Sequence, residues 1–167
     1  MKEIEFQGKR IDNGEWVKGF YYEHGKPLQC ISNPNEIKID KGCIVKTGFA
    51  DWNMPRQVEF IEVIPETVGQ FIGLLDMSGD RPQKIYEHDV VEITLYSHSE
   101  SAKIICQHRR KIEFKDGMFG VQWTRTDFLS LKHHFADSCS IIRIGNIWDD
   151  NLEFTSDDIE FISEAQP

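Results

Sequence analysis

Apolar and polar residues exchange at every second position over short stretches of this chain, which is the period of a β-strand. Ile4 and Phe6 share one face of a short Lys2–Phe6 segment. The Asp12-Asn13-Gly14 turn follows, and then the aromatic, β-prone run Trp16–Tyr22. Gly25-Lys26-Pro27 breaks that run and Leu28–Ile31 resumes it. Ile37–Ile39 and Cys43–Lys46 read as two short strands around a turn at Lys41-Gly42. Gln57–Val63 is a firmer strand. It sets Val58, Phe60 and Glu62 on one face and Ile61 and Val63 on the other, which predicts burial on both faces for part of its length. Asp89–Tyr96 is the clearest β signal, dense in branched residues. Ala102–Phe114 would return beside it, interrupted at Gln107–Arg110. Lys115-Asp116-Gly117 is a hairpin turn, because Asp and Gly tolerate the positive φ that tight hairpins require. Met118–Trp123, Phe128–Leu131 and Ser140–Ile147 complete the strands.

One segment departs from this period. Pro65–Phe71 reads as a single helical turn: Pro suits the first helical position, Glu66 suits the positive end of the helix dipole, and Gly69 and Gly73 limit its length. The pattern therefore predicts a mostly β protein. It has an N-terminal β-meander over about 1–64, a short helical turn, and a small barrel-like β unit over about 85–148. Together they form one domain of residues 1–154, with residues 155–167 as an acidic tail.

Composition refines the picture in three places. The net charge is −9 over 167 residues, and seven acidic side chains with no Lys or Arg follow Arg143. The rest of the chain is close to neutral, so no strong field would draw it to phosphate backbones. Thr155–Pro167 is expected to pack poorly, despite Ile159, Phe161 and Ile162. The start, Met1-Lys2-Glu3-Ile4-Glu5-Phe6, has no apolar core of a secretory signal, and no run is long enough to span a membrane. A cytoplasmic protein is expected. In that compartment Cys30, Cys43, Cys106 and Cys139 are expected as free thiols, and no Cys-x-x-Cys pair suggests a zinc site.

Several segments carry a family likeness. Glu62-Val63-Ile64-Pro65-Glu66-Thr67-Val68-Gly69-Gln70-Phe71-Ile72-Gly73-Leu74 is followed by Ile85-Tyr86-Glu87-His88-Asp89-Val90-Val91. Together with Ile4–Lys9, Asn13–Val17, Phe114–Val121 and Ile144–Ile147, in that order, they resemble the YopX family of phage and prophage proteins. The resemblance implies a phage or prophage setting, a β-rich fold and homo-oligomers, and it brings no catalytic residues. The family commonly has glycine where this chain has His88, and Asp80–Gln83 looks longer than the usual loop. If that glycine marks a left-handed residue, His88 should have a positive φ.

The two central motifs supply the candidate binding residues Glu66, Thr67, Gln70, Tyr86, Glu87, His88 and Asp89. Should the motifs meet in space, Glu66, Glu87 and Asp89 would form a carboxylate cluster fit for acid–base or metal chemistry; otherwise they serve the helix start and a turn. His108-Arg109-Arg110-Lys111 is the one basic cluster, and Arg109, Arg110 and Lys111 would contact nucleic acid if any residues do. His133-His134 point to opposite faces if they lie on a strand, a poor grip for one metal ion. No phosphate-binding loop, dinucleotide fingerprint or nucleophile elbow is present, so no cofactor is expected. The reading is a phage accessory protein that binds other proteins, itself included. A nucleic-acid-binding regulator and an enzyme with a carboxylate site are the alternatives.

Overall fold

The computed structural model describes residues 3–25, 39–47, 58–97, 104–124, 126–131 and 139–149. The Leu28–Ile31 strand, His133 and His134, Cys30, Trp52 and the Thr155–Pro167 tail lie outside them. The described chain is mostly β, in antiparallel sheets, and divides into two compact units, Met1–Phe71 and Ile72–Pro167. Among the described residues no helix is long and apolar enough to cross a membrane.

In the first unit β1 (Phe6–Lys9), β2 (Trp16–Gly25), β3 (Ile39–Thr47) and β4 (Val58–Val63) pair in sequence order as a meander. One face carries the core of Val17, Ile44, Ile61 and Val63, with Tyr21 and Val68 against it. β3 runs straight through Lys41-Gly42, where a turn was expected: Gly42 lies opposite Glu23 on one side and Val63 on the other. This glycine makes room for a ring. A Cβ there would sit 2.7 Å from the Tyr21 hydroxyl oxygen. β4 also differs from expectation, because only its Ile61/Val63 face is buried.

The expected helical turn shrinks to one 3-10 turn at Pro65–Thr67. Thr67 Oγ1 donates to the Ile64 carbonyl at 2.7 Å and accepts the Lys9 N–H at 2.8 Å, pinning the turn to β1. The chain then takes a strand pairing in place of a helix. β5 (Gly69–Asp76) starts beside β1, with Gln70 opposite Phe6.

In the second unit β6 (Gln83–Tyr86) pairs with the later part of β5. A five-stranded sheet follows in the order β10-β9-β8-β7-β11, built from β7 (Asp89–Tyr96), β8 (Ile104–Lys115), β9 (Met118–Gln122), β10 (Phe128–Ser130) and β11 (Cys139–Asn146). β10 and β11 each have one neighbour in that order, so the sheet is open and the expected barrel is not closed. With three residues, β10 is too short to complete a wall. The core on one face gathers Ile85, Val91, Ile93, Ile112, Val121 and Leu131. β8 is unbroken across Gln107–Arg110, with the ladder irregularity at Leu95/Tyr96 instead. The Asp-Gly hairpin forms as expected, with Asp116 at φ 52° and Gly117 at φ 80°.

His88 has φ 68°, as the glycine at this family position suggested. An L-residue here carries about 1 kcal/mol of strain that glycine lacks. Burial, with Lys111 adding to it, also pushes the imidazole pKa below its ordinary value, against the opposing pull of Glu87 and Glu113. A depressed histidine pKa means that the unfolded chain binds the proton first as pH falls below about 6.5, so the folded state loses stability there. His88→Gly is therefore expected to raise stability by about 1 kcal/mol at pH 8, with a larger advantage at pH 5. Urea unfolding at both pH values measures this; a variant less stable than the parent at pH 8 contradicts it.

Candidate functional site

The turn between β6 and β7 holds Tyr86, Glu87, His88 and Asp89, so the structure brings these candidate residues together. Asp89 is fully buried. A buried carboxylate must be saturated with donors. It accepts the Tyr86 N–H at 2.8 Å and the Asn146 Nδ2–H at 3.0 Å, and it takes Arg143 in a fork, Nε at 2.8 Å and Nη2 at 3.1 Å. Burial opposes the charge on Arg143, but the hydrogen bonds to Asp89 outweigh it and hold its pKa above the ordinary value. The network extends in both directions. The Arg143 N–H donates to Asp76 at 2.9 Å, and the Asn146 N–H donates to Asp149 at 2.9 Å. The backbone of His88 adds two bonds, donating to the Ile112 carbonyl and accepting the Ile147 N–H.

Chemically this arrangement holds a turn in place. Asp89 has no exposed surface, and proton transfer to a substrate needs contact with it. Asn146 and Arg143 were not singled out from the sequence as partners of Asp89; Asn146 was quoted only within the family motif. A buried Asp demands a cation, and Arg143, the last Lys or Arg of the chain, is that signal.

Glu66, Thr67 and Gln70 belong to the first unit and Tyr86–Asp89 to the second. Thr67 is buried and serves the 3-10 turn, Glu66 is exposed in its first residues, and Gln70 is half-buried in β5. The basic cluster is split by the pleat of β8. Arg110 points into the core, with its guanidinium 5.7 Å from the Trp123 ring centre and Nη1 donating to the Arg109 carbonyl. Arg109 and Lys111 lie on the other face, where each meets a carboxylate, Glu92 at 3.5 Å and Glu113 at 2.6 Å. Cys43, Cys106 and Cys139 are free thiols, and burial pushes the pKa of Cys106 and Cys139 up.

A different surface is the most unusual feature of the first unit. The register aligns Phe20, Val45 and Phe60 across β2, β3 and β4, on the face opposite the core. Cross-strand neighbours in such a row lie about 5 Å apart. Phe20 is 60% exposed and Phe60 64%, with Tyr22 and Val58 exposed beside them. Sequence reading placed Phe20 and Tyr22 in an aromatic, β-prone run and gave Val58 and Phe60 to a strand buried on both faces for part of its length. Glu62 on the same face was the signal that this face meets solvent.

Removing Asp89 would strand Arg143 beside buried backbone donors. Asp89→Ala is expected to lose about 3–5 kcal/mol in chemical unfolding; a loss below 1 kcal/mol contradicts the role given to the pair. Asp76 supplies a pH signature. Burial works against its charge, but hydrogen bonds from Ser78 and the Arg143 N–H hold its pKa below the ordinary carboxylate value. A depressed carboxylate contributes stability above its unfolded pKa and loses it as pH falls through the folded value. Unfolding curves from pH 5 to pH 2 should therefore fall less steeply for Asp76→Asn than for the parent; equal slopes contradict this.

No curated protein and no solved structure gives a significant match. A family model described as YopX protein matches residues 13–153, which include the meander strands β2–β4, the Tyr86–Asp89 turn and the Arg143 and Asn146 that hold it. The chain belongs to the phage-associated YopX protein family.

Proposed function

We propose that this YopX family member is a phage accessory protein that acts by binding, in the host cytoplasm, and that its first partner is another copy of itself. The observation that carries the reading is the Phe20–Val45–Phe60 row, in which two exposed phenylalanines flank a half-buried valine. Contiguous apolar surface of this kind is unfavourable in water and marks protein–protein contact. Aromatic side chains supply most of the energy of such contacts, because they bury a large area with few rotatable bonds. Two identical copies stack such a row face to face about a two-fold axis, each phenylalanine filling space beside the other copy's valine. The saturation and burial of Asp89 argue against the carboxylate-enzyme alternative. The pairing of Arg109 and Lys111 with carboxylates argues against the nucleic-acid alternative.

Sedimentation velocity at tens of micromolar tests the reading. The parent chain is expected to sediment as a dimer or larger assembly. Phe60→Asp should sediment as a monomer with an unchanged melting temperature, because Phe60 contributes no packing to the core of its own unit. A parent chain that stays monomeric, or a Phe60→Asp variant that still assembles, would show that this face is not the contact.

A further inference from the structure

The second unit carries a site of another kind, at an edge of β11 that no strand covers among the described residues. A groove of about 570 Å³ runs along this strand and is lined by four consecutive residues, Cys139, Ser140, Ile141 and Ile142. Successive side chains of a strand point to opposite faces, so a groove that touches four in a row lies against the backbone edge. The opposite wall comes from Leu74 and from Leu75 and Met77, which are 46% and 68% exposed.

The hydrogen-bond directions agree. Among the described residues β11 pairs with β7 alone. The Arg143 N–H turns away from β7 and donates to Asp76. By alternation the N–H and C=O groups of Ile141 and Cys139 also turn outward, into the groove. Asp76 caps one end of this row. Such an edge usually carries a defence against further pairing, namely short length, Lys or Pro. β10, the other edge of this sheet, is three residues long. β11 is eight residues long; its charged residue, Arg143, and its ladder irregularity, between Arg143 and Gly145, both lie at its end, and Cys139–Ile142 carries neither charge, Pro nor bulge.

We infer that the β11 edge receives an extended, uncharged peptide segment of another protein, which adds as a sixth strand and sets alternate apolar side chains into the groove. The choice of occupant rests on charge. No described lining residue is charged, and Asp76 at the end of the row is already held by the Ser78 and Arg143 N–H groups, so an occupant bearing charge would lose its hydration without a free counter-ion. This makes the chain's own C-terminal sequence a poor occupant, since acidic residues crowd it and no Lys or Arg follows Arg143. Main-chain bonds to Cys139 and Ile141 would supply affinity, and the groove would select small β-branched or aliphatic side chains.

The test uses a fluorescein-labelled, end-capped hexapeptide alternating threonine and valine, with fluorescence anisotropy on the full chain. Ile141→Pro removes one outward donor without touching the β7 ladder. It is expected to weaken binding at least tenfold; the melting temperature falls, because Ile141 also packs against the core, and binding is compared below it, where circular dichroism shows the variant folded. Phe60→Asp should bind the peptide as the parent does, which separates this site from the self-association face. Hydrogen exchange on the unmodified chain gives an answer independent of any variant. The amides of Cys139 and Ile141 should exchange fast, those of Ser140 and Ile142 slowly, and the peptide should protect the first pair. Several results would overturn the inference. One is a parent chain that does not bind the peptide, and another is an Ile141→Pro variant that binds equally well. A third is protection of Cys139 and Ile141 in the dilute free protein, which would mean that the chain fills its own groove. The last is protection that rises with protein concentration alone, which would assign the edge to a second copy.

Discussion

An ionised carboxylate with no access to water cannot be left to chance in a fold of this size, and the second unit is organised around Asp89. Arg143 grips both its oxygens, Asn146 and the Tyr86 N–H occupy the remaining directions, and the same arginine uses its backbone N–H to hold Asp76. Three stretches far apart in sequence thereby meet: the end of β5, the β6–β7 turn and the end of β11. The interaction also sets register. A one-residue slip of β11 against β7 would turn Arg143 to the opposite face and abandon a buried charge.

How much of this was legible in the sequence depended on the range of the interaction. Short-range signals translated well. The Asp-Gly turn and the β-branched density of Asp89–Tyr96 are decided by a residue and its immediate neighbours, and each is present as read; the left-handed position at His88 came from the glycine of the resembling family and is also present. Signals that depend on a distant partner misled. Lys41-Gly42 looks like a turn until the Tyr21 ring claims the space above it. The helical signals at Pro65–Phe71 are sound in isolation, yet β1 offers Gly69 and Gln70 a ladder and wins. The candidate site suffered in the same way. Both motifs exist, but Thr67 and Asp89 spend their polar atoms internally, while the apolar row of the first unit becomes visible only when three strands are placed in register.

The two proposed contact surfaces differ in physical type. The outer face of β2–β4 offers side chains, and its energy would come from removing aromatic area from water. The β11 edge offers backbone, and its energy would come from hydrogen bonds between groups otherwise left to solvent. The first kind tolerates many partners of suitable shape and is weakened by a single charge. The second tolerates many sequences and is weakened by a single proline. The two would therefore respond to different mutations, and occupancy of one does not require the other.

Asp89 and its partners also impose an order in time. Arg143 and Asn146 follow Asp89 by 54 and 57 residues. While the chain is being synthesised, the β8–β9 hairpin can close on local contacts, but the carboxylate stays hydrated and unpaired until those two residues have left the ribosome. The five-stranded sheet thus cannot bury its polar hinge before β11 arrives. A chain ended early by a nonsense codon or by stalled translation, anywhere before Arg143, would hold an uncompensated charge where its hinge should be. Such fragments would fail to fold and would go to proteolysis, so that only near-complete chains could accumulate.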